Sequence, residues 1–115
     1  MNSAAETLLV LTTLPDAAAA RGMATALVEG HLAACVNILA PCQSVYRWQG
    51  TVEEATEVPL LIKTTVARYH ALEAWIRAHH PYELPEIVAV PVAQGLPAYL
   101  AWVASATTLD DNPTC

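Results

Sequence analysis

The spacing of hydrophobic positions changes several times along the chain, and each change predicts a new structural element. Residues 8–13 form a short, continuous apolar run, which is typical of a strand covered on both faces. Asp16 is a good helix N-cap, and Gly30 suits the end of a helix. A first strand and a first helix are therefore expected. The apolar face of this helix repeats at helical spacing and comprises Ala20, Met23, Ala24, Leu27 and Val28.

The segment 34–65 predicts a long hairpin that is too large for its own chain. Residues 34–38 and 44–49 carry β-branched and aromatic side chains in alternation, which favours extended structure. Gly50 ends this run, and the chain returns as a second strand through residues 60–62.

A polar segment with three carboxylates, Glu53, Glu54 and Glu57, lies before the return strand. Its spacing matches no calcium-binding loop. A charged hairpin tip is more often a solvated edge that keeps a protein soluble, and we interpret the segment in this way. Pro59, at the start of the return strand, indicates an edge or a bulge.

The remaining pattern predicts a helix, a strand and a closing helix. Thr65 is a plausible cap for the second helix, and Pro81 cannot continue it. Residues 87–92 form another apolar strand, and Pro97 fits the first turn of the closing helix. We expect a single domain over residues 8–104, a flexible amino terminus at 1–7 and a carboxy-terminal tail at 105–115.

This order of elements matches the split β-α-β, or ferredoxin-like, class of α+β fold, with an extended β-hairpin and a C-terminal helix. The helices of such a fold cover one face of its sheet. The predicted strands of this chain are apolar enough that the second face of the sheet needs cover as well. Hydrophobic residues make up 55% of the 115 and charged residues 14%, which is more apolar than a typical soluble domain. A monomer would expose apolar patches, so we expect an oligomer.

Charge and cysteine content narrow the classes of partner. The net charge of −6 argues against nucleic acid and anionic membrane surfaces. No run approaches the roughly 18 apolar residues that a membrane-spanning helix needs, and the amino terminus does not resemble a secretory signal. Cys35, Cys42 and Cys115 form no paired motif, and the first two fall on one predicted strand. We expect reduced thiols and a cytoplasmic protein.

Several motifs, in order, resemble the CutA family of divalent-cation tolerance proteins. The resemblance spans roughly residues 8 to 104 and implies a homotrimer whose sheets pack together while the hairpin reaches a neighbour. It also implies a role in tolerance of divalent metal ions, chiefly copper, through weak binding. The motifs are Ala-Cys-Val-Asn-Ile at 34–38, Ser-Val-Tyr-Arg-Trp-Gln-Gly at 44–50, Leu-Leu-Ile-Lys-Thr-Thr at 60–65, His-Pro-Tyr at 80–82 and Pro-Glu-Ile at 85–87.

The resemblance singles out Cys35, His80 and Glu86 as metal ligands. Thiolates bind copper(I), whereas imidazole and carboxylate groups suit copper(II) or zinc. A structural interpretation competes at each position. Cys35 also fits a small buried side chain on a strand. His80 also fits a helix-end histidine bonded to a carbonyl, with Glu86 solvated.

The same motifs imply a ligand cleft between subunits, formed by Tyr46, Trp48, Lys63, Tyr82 and Glu86. Apolar surface with a few polar groups is typical of small-molecule sites, and the fold resembles the PII-like signalling trimers. Aromatic residues are equally enriched in ordinary subunit interfaces. A lysine that closes an apolar strand needs a partner, for which we predict Glu86 of a neighbouring subunit.

No catalytic motif is present, since the chain lacks a Gly-x-Ser-x-Gly elbow, a P-loop, a dinucleotide-binding turn and a His-Glu-x-x-His pair. Cys35 and His80 are chemically suited to act as nucleophile and base, but the interior of a strand is a poor place for a nucleophile. We expect no enzymatic activity and no organic cofactor. Three functions remain: divalent-metal tolerance, small-molecule sensing in the inter-subunit cleft, and a scaffold without a ligand.

Overall fold

The computed structural model describes residues 5–109, which form a five-stranded antiparallel sheet and three helices. The α+β class predicted from the sequence is confirmed. Among the described residues, no helix is long and apolar enough to cross a membrane. In chain order the elements are β1 (Thr7–Leu14), α1 (Ala17–Glu29), β2 (Cys35–Ile38), β3 (Cys42–Trp48), β4 (Thr51–Thr65), α2 (Val66–His79), β5 (Val88–Pro91) and α3 (Pro97–Thr107).

β1 and β4 form the centre of the sheet, whose strand order is β2-β4-β1-β5. β1 pairs with β4 along its whole length, from Thr7 opposite Thr65 to Leu14 opposite Val58. β5 lies on the other side of β1, and β2 pairs with the second half of β4. The sheet therefore brings the last residues of β1 next to the middle of β4.

The hairpin extends beyond this sheet because the first half of β4 pairs only with β3. Gln49 and Gly50 form its turn with φ angles of 50° and 83°. Two consecutive positive φ angles are the arrangement of a type I′ turn, whose twist suits a two-residue hairpin. The molecule is consequently elongated, with a longest extent of 52 Å.

Two expectations about this region are wrong. Residues 51–57 do not form a polar tip ahead of the return strand but are the first half of β4, because each pairs with a residue of β3. Cys35 and Cys42 lie on separate strands, since residues 39–41 interrupt the pairing and Pro41 has no N–H to donate to a ladder. Both cysteines are free thiols.

The core lies between one face of the sheet and helices α1 and α2. Asp16 caps α1 as expected, because its Oδ1 accepts the Ala19 N–H at 2.8 Å. Alternate residues of β1 and β4 turn towards the helices, which contribute apolar side chains at helical spacing. Fully buried members of this core include Val10, Leu14, Leu60, Ile62, Leu27, Leu72 and Ile76.

The opposite sheet face, here called the open face, keeps large apolar side chains exposed. Leu11 is 36% exposed, and Val88, which pairs with it on β5, is 48% exposed. Val90 on the same strand is 51% exposed. α3 packs against β1 and β4 and buries Val103, but it leaves these three residues uncovered.

The folded region continues past the predicted domain end at residue 104. α3 runs to Thr107, which is buried and donates its hydroxyl to the Val103 carbonyl at 2.9 Å. Residues 105–107, which were assigned to the tail, are the last residues of α3. Residues 1–4 and 110–115, with Cys115, lie outside the described part of the chain.

Candidate metal and ligand site

Five polar side chains meet where the hairpin leaves the sheet, and we call them the Glu57 cluster. They come from the end of β1, from β3, from the middle of β4 and from the segment after α2. The register explains the meeting, since Thr13 pairs with Pro59, two residues beyond Glu57 on β4. The cluster consists of Thr13, Ser44, Glu57, His80 and Tyr82.

His80 uses both ring nitrogens within this cluster. Its Nε2–H donates to the Thr13 carbonyl at 2.8 Å, and its Nδ1 accepts the backbone N–H of Tyr82 at 3.1 Å. These partners require the neutral ring with its proton on Nε2. Burial lowers the pKa of His80, and this effect exceeds the opposing effects of the Thr13 carbonyl and the Glu57 carboxylate.

Glu57 is the acceptor at the centre of the cluster. The Thr13 hydroxyl donates to its Oε2 at 3.2 Å. Burial by itself would raise the pKa of Glu57, but hydrogen bonding from Ser44, Tyr82 and Thr13, together with the nearby His80, outweighs burial and lowers it. Half-buried Glu57 is therefore a carboxylate at neutral pH, with the Thr13 hydroxyl bonded to it and the Ser44 and Tyr82 hydroxyl groups nearby.

Tyr82 lies beside both of the other central residues. Its ring lies 4.8 Å from the His80 ring, and its phenol is near enough to Glu57 to help lower the pKa of that carboxyl. Burial raises the pKa of Tyr82, and the adjacent carboxylate raises it further. Tyr46 on β3 is close enough to contribute to the same shift, and Trp48 follows on the same strand face.

A second group, here called the Lys63 cluster, lies near the other end of β4. The Lys63 ammonium donates to Oδ1 of Asn37 and lies 3.8 Å from Sγ of Cys35. Cys35 is directly opposite Lys63 in the β2–β4 ladder. Burial raises the pKa of Tyr99 on α3, and its proximity to Cys35 raises it further. Lys63 thus finds partners within the same chain, and its predicted pairing with Glu86 of a neighbouring chain stays a prediction.

The single chain does not bring the predicted metal ligands together. Cys35 is paired with Lys63, and six strand residues, or about 20 Å, separate Lys63 from Glu57 beside His80. Glu86 is exposed on the segment between α2 and β5. Within residues 5–109, no three His, Cys, Asp or Glu side chains converge in a way that could hold a metal ion.

The predicted ligand cleft is divided in the same way. Tyr46 is near enough to raise the pKa of Tyr82, but Lys63 lies at the far cluster and Trp48 lies next to the hairpin turn. The sequence interpretation missed Glu57, which it placed on a solvated edge. One signal was available: Glu57 directly precedes the buried alternation that begins at Val58.

The protein belongs to the class of small antiparallel α+β domains, with an elongated hairpin and an apolar open face. The family model described as "CutA1 divalent ion tolerance protein" matches residues 8–106. The chain belongs to this family, which confirms the resemblance found in its motifs.

Individual relatives agree with this assignment. The divalent-cation tolerance protein CutA of Thermus thermophilus is 50% identical over 99 residues, which cover 86% of this chain and 96% of that protein. The protein CutA homolog of Xenopus laevis is 46% identical over 79% of this chain, which spans only 60% of that longer relative. The solved structure of the divalent cation tolerance protein Cut A1 from Thermus thermophilus matches with a TM-score of 0.87 at 48% identity, covering 89% of this chain and 99% of that one.

Proposed function

We propose that this chain is a divalent-cation tolerance protein that binds copper(II) or another divalent metal ion weakly and catalyses no reaction. The observation that carries the proposal is an oriented imidazole, His80, beside an ionised carboxylate, Glu57. Imidazole and carboxylate groups are the ligand types that copper(II) and zinc accept. The family match and the names of the relatives support the same function.

The orientation of His80 fits a metal ligand. A metal-bound histidine normally donates its second ring N–H to a carbonyl or carboxylate, which fixes the ring. The His80 Nε2–H donates in this way to the Thr13 carbonyl, so Nδ1 is the nitrogen that would face an ion. Exposed Glu86 is the second carboxylate that we propose on this segment. Cys35 lies with Lys63, so we propose that it contributes from a neighbouring subunit.

A copper(II) titration of the reduced protein by calorimetry tests the metal proposal. Replacing His80 with alanine should lower the affinity by about tenfold or more, because an imidazole ligand and its orientation are lost. Replacing the adjacent His79 is the matched control. The His79 ring stacks on Trp75 and its Nδ1–H donates to the Trp75 carbonyl at 2.8 Å, so the affinity should not change. Equal binding by wild type and His80→Ala would contradict the proposal.

Assembly into a homotrimer of ferredoxin-like subunits is the second part of the proposal. The exposed apolar residues Leu11, Val88 and Val90 on the open face support sheet-to-sheet packing. Light scattering should give the mass of three chains, and Val90→Asp should shift the protein towards monomer. Val28 was predicted on the apolar face of α1 but is 41% exposed and not among its buried residues, so Val28→Asp should leave the trimer intact. A wild-type monomer would contradict this part.

The second candidate function is a PII-like trimer that binds a small molecule between subunits. Tyr82 favours it, since its ring lies beside an imidazole and near a carboxylate, with Tyr46 of β3 in the neighbourhood. Lys63 and Trp48 would complete such a cleft only when two subunits combine. Thermal stabilisation by an organic metabolite in the presence of a chelator would favour this function over metal binding. A protein that responds to neither metal nor metabolite would instead be a scaffold.

We also propose a cytoplasmic location. The free thiols of Cys35 and Cys42 support a reducing compartment. Fractionation of the source cells should recover the protein with cytoplasmic marker enzymes. Recovery with the markers of an extracytoplasmic compartment would contradict this location.

A further inference from the structure

Cys35 and Lys63 place a thiol and an amine side by side on the sheet. The two residues are directly opposite in the β2–β4 ladder, and the Lys63 ammonium donates to Sγ of Cys35 at 3.8 Å. Opposite residues of an antiparallel pair share one face and have Cβ atoms about 5 Å apart. The backbone register therefore keeps the two groups together, whichever rotamer the lysine adopts.

Lys63 is the single lysine of the 115-residue chain, whose other permanently charged basic side chains are arginines. An amine becomes a nucleophile once it loses a proton, whereas a guanidinium stays protonated in proteins. The two described thiols differ in this respect. Cys42 is exposed and its thiol lies 3.9 Å from the Ser44 hydroxyl, with no amine beside it in the described structure. Only Cys35 is placed against the lysine.

We propose that Cys35 and Lys63 form a redox modification site, at which hydrogen peroxide joins sulfur to nitrogen in a reversible sulfenamide cross-link. The thiolate is the form of cysteine that peroxide oxidises. The resulting sulfenic acid condenses with a nearby thiol or nitrogen nucleophile. The inference is separate from the proposed metal function, because it needs only two side chains of one chain and a small oxidant.

The two steps balance with peroxide as the oxidant. The Cys35 thiolate attacks one peroxide oxygen, the O–O bond breaks, and the leaving hydroxide takes a proton from the Lys63 ammonium to form water. Sulfur has then given two electrons to peroxide, and Nζ has gained a lone pair. Nζ attacks the sulfur of the sulfenic acid, the S–O bond breaks, and the departing hydroxide takes a proton from nitrogen to form a second water.

The surroundings permit both steps. Cys35 is half-buried on β2, which is an edge strand, and Asn37 beside the pair is exposed, so a molecule little larger than water can reach the sulfur. The Lys63 ammonium also donates to Oδ1 of Asn37, which holds Nζ next to β2. The flexible four-carbon stem of lysine can close the remaining distance to sulfur while both strands stay in place.

Mass spectrometry of the metal-free protein, treated with hydrogen peroxide in the presence of a chelator, tests the inference. Cys42→Ser and Cys115→Ser are introduced first, so that no disulfide can form within the chain. The intact chain should become lighter by two hydrogen atoms, and dithiothreitol should restore its mass by cleaving the S–N bond. Trypsin should fail to cleave after Lys63 and should release residues 48–68 joined to residues 22–47.

Two matched variants control for the amine and for the thiol. Adding Lys63→Met keeps the apolar stem but removes the nucleophile, so Cys35 should gain oxygen atoms and no chain should lose two hydrogens. A Cys35→Ser, Cys115→Ser variant leaves Cys42 as the thiol to be oxidised. Cys42 should then gain oxygen atoms without becoming linked to Lys63.

Three results would overturn the inference. They are oxygen adducts on Cys35 with the tryptic peptides unlinked, an equal loss of two hydrogens in Lys63→Met, and an unreacted Cys35 at a peroxide concentration that oxidises Cys42. The peptide map needs no change at Cys35 or Lys63, so it remains decisive even if Lys63→Met fails to fold. None of these results bears on copper(II) binding by His80, which the titration tests separately.

Discussion

β4 carries two polar clusters on one face, about 20 Å apart, and the chain builds them in different ways. The Lys63 cluster joins ladder neighbours, since Cys35 is directly opposite Lys63 and Asn37 is two residues along the same strand. The Glu57 cluster joins β1, β3, β4 and the segment after α2. A cluster of the first kind follows from the pairing of two strands, whereas the second kind depends on the whole topology.

The two clusters also differ in how fully their charges are satisfied. Three hydroxyl groups and an imidazole surround the Glu57 carboxylate. The Lys63 ammonium is bonded to the Asn37 amide oxygen and lies farther from the Cys35 thiol. Both of these partners are on the edge strand β2. Removing Glu57 should therefore disturb more partners than removing Lys63, and the effects below are ordered on that basis.

The largest loss of stability is expected for Glu57→Leu. This change removes the acceptor of the Thr13 hydroxyl and the carboxylate charge beside the Ser44 and Tyr82 hydroxyl groups, at a cost of about 2–3 kcal/mol in the free energy of unfolding. Urea denaturation of variant and wild type measures it. Glu54→Leu, three residues earlier on the exposed half of β4, is the control and should change stability by about 0.5 kcal/mol or less.

A smaller loss, about 1 kcal/mol, is expected for Lys63→Met. The methionine keeps the apolar stem but gives up the hydrogen bond to Asn37, whose side chain can turn to water at the exposed edge. The same urea titration applies. The proposed ranking of the two clusters would be reversed if Lys63→Met cost more than Glu57→Leu.

Acidification should weaken the Glu57 cluster in a predictable direction. The pKa of His80 is lower in the folded protein than its ordinary 6.5, so the unfolded chain takes up this proton first as the pH falls. The pKa of Glu57 is also lowered from its ordinary 4.5. The folding stability that Glu57 contributes is therefore present above pH 4.5 and is lost as the pH falls through the pKa of Glu57 in the folded protein. Melting temperatures should decline from neutral pH to about pH 4. A His80→Gln, Glu57→Gln double variant should show a shallower decline, and an identical one would contradict the assignment.

The smallest effect is expected at the hairpin turn, which sets the β3–β4 register and hence places Ser44 beside Glu57. Gln49 has a φ of 50°, a left-handed conformation that costs most residues about 1 kcal/mol and glycine very little. Gln49→Gly should therefore stabilise the protein by about 0.5 kcal/mol, after the greater flexibility of glycine in the unfolded chain is subtracted. Thermal melting measures this gain, and destabilisation would show that the turn is not under strain.

Much of the fold follows from the sequence because local patterns and core burial agree. Asp16 caps α1, and the alternation in β4 places Leu60 and Ile62 in the core as the spacing predicts. The polar half of β4 was harder to predict. Its side chains carry no burial signal, and only pairing with β3 makes it a strand.

The candidate site was predictable only in part. His80, Tyr82 and Tyr46 belong to recognisable motifs, and the structure places the first two in contact with the third nearby. Glu57 could not be singled out, since its role depends on Thr13, which is 44 residues away in sequence. The separation of Cys35 from His80 was equally hidden, because it follows from the order of strands in the sheet rather than from any local pattern.

The most direct test of the contrast between the clusters is anomalous X-ray diffraction from crystals of the reduced protein soaked in copper(II) or zinc. The difference map locates the ion without assuming a ligand. A peak beside His80 and Glu57 is expected. A peak beside Cys35 and Lys63, with His80 and Tyr82 unchanged, would contradict the assignment of the metal to the Glu57 cluster.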